Sequence, residues 1–195
     1  MNICVATPED APAISSLILE LSAPFYAHPD RLGAESFLES IDEVAERRYL
    51  SAENFHFLVA RMDDKIVGVA ALRDCSHLFH LFVSKSVQRK GLGRALWKEI
   101  SDSAIARQQV SSFTVNASLI AIPFYERLGF HRVGAPVQTH GILFQSMKME
   151  IEAGHQVTLV GKLGSSPICG GAARRREAEH PTPSFRAQSR NPPLR

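Results

Sequence analysis

Residues 88 to 95 read Gln-Arg-Lys-Gly-Leu-Gly-Arg-Ala, and their flanks make this run the strongest constraint on the fold. Before it, Leu78-Phe79-His80-Leu81-Phe82-Val83 is aromatic and β-branched enough for a strand. After it, Leu92, Ala95, Leu96, Ile100 and Ala104 recur on one face at helical spacing. Strand, glycine turn and helix start therefore follow in order. Gly91 and Gly93 lack a Cβ, so the backbone can turn tightly and present the unpaired N–H groups of the helix's first turn to an anion. The helix dipole adds partial positive charge there, and Arg89, Lys90 and Arg94 surround the turn with cations that suit a pyrophosphate or a ribose phosphate.

The run lacks the closing Lys-Ser/Thr of a P-loop and the third glycine of a dinucleotide fingerprint. A second pattern stands downstream: Asn116-Ala117-Ser118, then Pro123-Phe124-Tyr125-Glu126-Arg127-Leu128-Gly129-Phe130. Ser118 is placed to cap a helix over 118 to 128, and Gly129 to end it before another strand.

Together these two stretches resemble motifs A and B of the GCN5-related N-acetyltransferase (GNAT) superfamily, in the family's order and separation. The resemblance covers roughly residues 1 to 150. It implies a mixed α/β fold with a central, mostly antiparallel twisted sheet of six to seven strands, a splayed central pair and about four flanking helices. It implies acetyl-coenzyme A as co-substrate, with no metal, and transfer of acetyl to a primary amine of a small molecule or peptide by direct attack in a ternary complex. By the same resemblance, Leu81, Phe82 and Val83 splay from their neighbour. The backbone N–H groups around Val83 hold the thioester oxygen, and Asn116 and Phe124 meet the pantetheine arm. Gln88, Arg89, Lys90, Gly91, Leu92, Gly93 and Arg94 take the pyrophosphate. Tyr125 occupies the position of the acid that protonates the departing sulfur. A non-catalytic acyl-coenzyme A sensor, or an enzyme using a longer acyl group, stands as the alternative, with pocket depth near Phe82 and Phe124 deciding the second.

His80 has the near-neutral reference pKa of a general base and lies beside the thioester region. Glu35 and a water chain compete for that role. His77 and His80 are three apart on one strand, which places them on opposite faces by simple alternation and argues against a shared metal. Arg47, Arg48 and Tyr49 are candidates for a substrate carboxylate. Trp97 reads as packing, and Asp63-Asp64 as a turn rather than a catalytic pair.

The remaining elements follow from periodicity. Asn2 to Ala6 reads as a strand, Thr7-Pro8-Glu9-Asp10 as a cap, and Ile14, Leu17, Ile18 and Leu21 as a helical face. A loop over 24 to 33 leads to helices near Glu35 to Ser40 and Asp42 to Leu50, the region expected to wall the acceptor site. Phe55 to Arg61 and Lys65 to Arg73 form a hairpin, and strands near 111 to 115, 130 to 135 and 142 to 150 complete the sheet.

The chain of 195 residues, 45% apolar, suffices for one core. Past Ile151 the composition turns to Gly, Pro, Ser and Arg, which predicts a disordered tail in which Val157 to Leu163 alone has strand character. The net charge of +2 divides unevenly, with 15 Lys/Arg against 17 Asp/Glu up to residue 150 and 7 against 3 beyond it. The basic excess thus lies outside the domain, and neither nucleic acid nor a membrane is an expected partner. Neither a signal core nor an apolar run of about 18 residues appears, so a cytoplasmic location is expected. Cys4, Cys75 and Cys169 are scattered, as ordinary thiols would be. A homodimer is compatible with the family.

Overall fold

A computed structural model describes residues 1 to 107 and 110 to 151. The tail, with its stretch from Val157 to Leu163, lies outside the described residues. Eight strands, β1 (Asn2–Val5), β2 (Phe55–Met62), β3 (Lys65–Arg73), β4 (His77–Val83), β5 (Ser112–Ala117), β6 (His131–Arg132), β7 (Val137–Thr139) and β8 (Ile142–Glu150), form a sheet in the order β1-β2-β3-β4-β5-β8-β6, with β7 also on β8. Five helices accompany it: α1 (Ala11–Leu21), α2 (Glu35–Ser40), α3 (Glu43–Leu50), α4 (Leu92–Arg107) and α5 (Ile122–Glu126). All neighbours are antiparallel except β4 and β5.

Two cores sandwich the sheet. On one face α4 and α5 bury Leu92, Leu96, Trp97, Ile100 and Tyr125 against Leu72, Leu78, Phe113, Val115 and Met147. On the other, α1 buries Ile14, Leu17 and Ile18 against Phe57, Val59, Val69 and Ala71, with Tyr49 and Leu50 of α3 alongside. Trp97 packs edge-on against Phe113 and Phe130, at 5.0 and 5.3 Å between ring centroids. It takes the place on the buried face of α4 that spacing assigned to Ala95, which is exposed.

The β2–β3 turn is Asp63-Asp64, both with positive φ, as a two-residue hairpin loop requires. The helix expected over 118 to 128 is shorter. A 3-10 turn at Leu119–Ala121 precedes α5 and Ser118 makes no side-chain cap; α5 starts instead with Pro123 in its first turn, where a proline needs no donor. Gly129 ends the element as expected, with φ +99° and the Phe130 N–H returning to the Tyr125 carbonyl at 3.0 Å. The strand expected over 130 to 135 keeps only two residues, and β7, a short edge strand with little apolar pattern, was not foreseen. Cys4 is a free thiol, whereas Cys75 is disulfide-bonded and departs from the expectation of ordinary thiols.

Candidate active site

β4 and β5 pair only at His77↔Thr114 and Leu78↔Val115, then part. β4 meanwhile keeps its ladder with β3 through Gly68↔Val83, so β5 is the strand that leaves, following β8 through Ala117↔Gln145. Residues 79 to 83 therefore lose their neighbour on one side. The Ser84 N–H donates to the Val67 carbonyl at 2.8 Å on the β3 side, so alternation along the strand turns the main-chain groups of Leu81 and Val83 toward the gap. One of these, the Val83 carbonyl, accepts from Gln88 Nε2 at 2.9 Å.

The turn into α4 closes the end of this gap. The helix's first backbone bond runs from the Ala95 N–H to the Gly91 carbonyl at 3.0 Å, which leaves the preceding N–H groups without an intrahelical acceptor. Arg89 and Gly91 both have positive φ, 59° and 86°, and together make the concave turn that aims those groups outward. Leu92 is buried and contributes only main chain to the turn. Gly93 faces the ring of Phe124: a Cβ there would lie 3.3 Å from Phe124 Cζ and 3.7 Å from Val83 Cγ2. Arg89 and Arg94 are exposed beside it, and Lys90 donates to the Ser86 carbonyl at 3.3 Å.

Tyr125 and His80 stand on opposite faces of the sheet. Tyr125 is buried beneath Phe124 and Phe130, with rings at 5.3 and 5.7 Å, and burial raises its phenol well above the ordinary range. Its hydroxyl has no hydrogen-bond partner and is not among the fully enclosed unpaired atoms of the described residues. Asn116, on β5 just past the divergence, is exposed and accepts from Ser146 Oγ at 3.0 Å.

A bulge governs His80. Ala71 faces His80 while the next residue, Leu72, faces Leu78, so Phe79 is inserted and the side-chain alternation resets. Phe79 and His80 then lie side by side, with rings 4.3 Å apart, on the face opposite Leu78. This corrects the expectation from spacing: His77 and His80 share a face. They share no ligand, because His77 Nδ1 is bonded to Thr114 Oγ1 at 2.9 Å and His80 Nε2 to Glu46 Oε1 at 2.8 Å. Among the described residues no group of three or more His, Cys, Asp or Glu side chains could hold a metal ion.

The other candidates separate from the gap. Glu35 is exposed at the start of α2, and Arg47 is paired with Glu43 at 3.2 Å on the outer side of α3. Arg48 lies over the Tyr49 ring at 5.2 Å, and Tyr49 packs on Phe55 and Phe79. Of these four, Tyr49 alone has a contact with the unpaired part of β4, through the Phe79 ring.

The site also contains residues that sequence reasoning missed. Phe25, Tyr26 and Phe37 join Phe82 in a chain of rings, with Phe25–Phe82 at 6.3 Å, Phe25–Phe37 at 5.8 Å and Tyr26–Phe37 at 6.0 Å. The loop that carries this wall is fastened to the β7–β8 turn. The Ala27 N–H donates to the Gly141 carbonyl at 2.8 Å, and a Cβ on Gly141 would lie 2.4 Å from the Ala34 nitrogen. Glu46 is the other omission. It sits among Ala45, Tyr49 and Leu50, so a carboxylate on an otherwise apolar helical face was the available signal.

Residues 25–151 match the family described as the acetyltransferase (GNAT) domain. The chain belongs to the GNAT family. "Probable N-acetyltransferase camello" of Xenopus laevis is 28% identical over 116 residues, and the chain spans about half of its length, 51%, with 55% of its own. A GCN5-related N-acetyltransferase from Rhodopseudomonas palustris superposes with a TM-score of 0.62 at 24% identity, over 77% of this GNAT chain and 95% of that one. The PaiA N-acetyltransferase of Thermoplasma acidophilum, solved in complex with coenzyme A, gives 0.62 at 15% identity over 77% and 100%. These likenesses establish the shared fold, including the open sheet of this GNAT domain.

Proposed function

We propose that the chain is an N-acetyltransferase that moves acetyl from acetyl-coenzyme A to a primary amine by direct attack within a ternary complex. The observation that carries the reading is the end of β4–β5 pairing at Leu78↔Val115, beside a helix N-terminus with unpaired amides. In this reading the N–H groups from Arg89 to Arg94 bind the pyrophosphate, with Arg89, Lys90 and Arg94 adding charge. Gly93 lets the cofactor's arm pass between Phe124 and Val83, and Gln88 holds the strand end by its bond to Val83. The Leu81 and Val83 main chain then binds the pantetheine arm and polarises the thioester carbonyl, with Asn116 opposite and Phe82 beside the acyl group. No metal enters this chemistry.

An alkylammonium with a pKa near the lysine reference of 10.4 must lose a proton before its nitrogen can attack. His80 is the proposed base, acting directly or through one water. As the new C–N bond forms and the C–S bond breaks, the electron pair leaves on sulfur, and the Tyr125 hydroxyl supplies its proton. Burial keeps that phenol protonated beyond its ordinary range, so Tyr125 still carries its proton when the sulfur departs. The aromatic wall of Phe25, Tyr26, Phe37 and Phe82 suits an acceptor with an apolar group next to its amine. Incubation with acetyl-coenzyme A and a panel of amines, followed by free thiol release, tests this. Amine-dependent release is expected; tight cofactor binding with no release on any amine would favour the sensor.

A further inference from the structure

We infer that Glu46 is a positioning residue that fixes the tautomer and orientation of the His80 ring and stabilises the imidazolium formed when it takes a proton, so that the two work as a carboxylate–imidazole pair; this rests on the reading of His80 as the base. Both side chains are nearly sealed from solvent, 4% exposed for His80 and 0% for Glu46. They come from elements 34 residues apart, and their 2.8 Å contact joins α3 to β4. A carboxylate accepts and cannot donate when ionised, so Nε2 carries the hydrogen and Nδ1 is left as the lone-pair nitrogen. Nδ1 makes no hydrogen bond, yet it is not among the enclosed unpaired atoms, which among the described residues are Glu46 Oε2, His56 Nε2 and Ser103 Oγ. It thus retains the access that a base needs.

Placement agrees with this chemistry. His80 is two residues beyond the last β4–β5 pair, within the segment that has lost its neighbour. The bulge at Phe79 turns its ring to the face of the aromatic wall, with Phe82 at 5.9 Å and Phe57 at 5.9 Å holding it. The other ionisable or charged groups around it are few. His77 precedes it on the same face, with its pKa lowered to about 4 by burial and by Arg73, and is neutral at physiological pH. Arg73 lies over the far ring of Phe79 at 5.7 Å, and Tyr49 packs edge-on to Phe79. Glu46 alone touches the imidazole with a carboxylate, and Glu46 Oε2 has no partner to divert its charge. A proton taken at Nδ1 from the attacking amine makes an imidazolium that the Glu46 anion stabilises, and the proton then passes to solvent.

Two readouts on the full chain test the pair. Nitrogen NMR of histidine-labelled protein is expected to show neutral His80 as the Nε2–H tautomer in the wild type, and a mixture of tautomers in Glu46→Gln. With the amine that turns over fastest, Glu46→Gln is expected to lower kcat about tenfold and to move the acid limb of the pH profile to lower pH, while KM for acetyl-coenzyme A stays unchanged. An Nδ1–H tautomer in the wild type overturns the inference without any variant. So does a Glu46→Gln protein whose kcat, acid limb and His80 tautomer match the wild type. His80→Gln separates this from failure of the underlying reading: if rate and acid limb survive that change, His80 is not the base at all.

Discussion

The face of the sheet beneath α4 and α5 and the face beneath α1 to α3 open on the same gap, but they offer it different groups. The first supplies main-chain amides, small residues and one tyrosine. The second supplies side chains brought from four separate elements: Phe25 and Tyr26 from a loop, Phe37 from α2, Glu46 from α3, and His80 from β4. A site made of backbone depends on local geometry and is written in a short motif. A site made of distant side chains depends on how loops dock, and its specificity can change without disturbing the first.

Breaking the docking should produce the largest effect. Gly141 has φ +68°, and a Cβ would meet the Ala34 nitrogen, the Gly33 carbonyl carbon and the Leu32 oxygen within 2.6 Å, all of them backbone atoms. Gly141→Ala should cost about 3 kcal/mol in chemical denaturation, and should raise KM for the acceptor more than Kd for coenzyme A.

Acid should weaken the α4 face next. His56 is buried on β2, and burial, with Arg107 as a second cause, holds its pKa down to about 4 from 6.5. The folded state therefore binds fewer protons than the unfolded one, so stability is whole above pH 6.5 and falls between 6.5 and 4, by up to about 3 kcal/mol. His56→Leu should flatten that fall in denaturation curves measured across the window.

Tyr125→Phe should lower kcat by about tenfold to a hundredfold with coenzyme A affinity intact. An unchanged kcat would leave Tyr125 a packing residue beneath Phe124. Gly93→Val should weaken coenzyme A binding by about tenfold, equivalent to about 1.4 kcal/mol, because the new methyls meet Phe124 and Val83 where the arm must pass. The smallest effect belongs to Arg94→Ala. Exposed and without an ion-pair partner among the described residues, this side chain should cost about threefold in coenzyme A affinity at low salt and less at high salt.

The same division explains what could be read in advance. Strand, glycine turn and helix over 78 to 107 and the Gly129 stop are local or carried by motif, and they stand in the structure where sequence placed them, whereas the strands part already after Leu78, ahead of the splay expected at Leu81 to Val83. Trp97 packs as expected, but Ala95 falls outside the buried stripe because helical spacing alone does not say where that stripe is centred. The shared face of His77 and His80 was misread because the extra residue at Phe79 shifts alternation by one, and only the register against β3 reveals it. The region that walls the site was expected, but the Glu46–His80 contact and the meeting of Phe25, Phe37 and Phe82 were not, because each joins residues far apart in sequence.

Titration of coenzyme A into the nitrogen-labelled chain, followed amide by amide, tests the central claim most directly. The account predicts saturable shifts concentrated at the amides of Arg89 through Arg94 and at Leu81 and Val83, with α1 to α3 largely unmoved. Saturable binding whose shifts lie elsewhere, or no binding at millimolar coenzyme A, would contradict it.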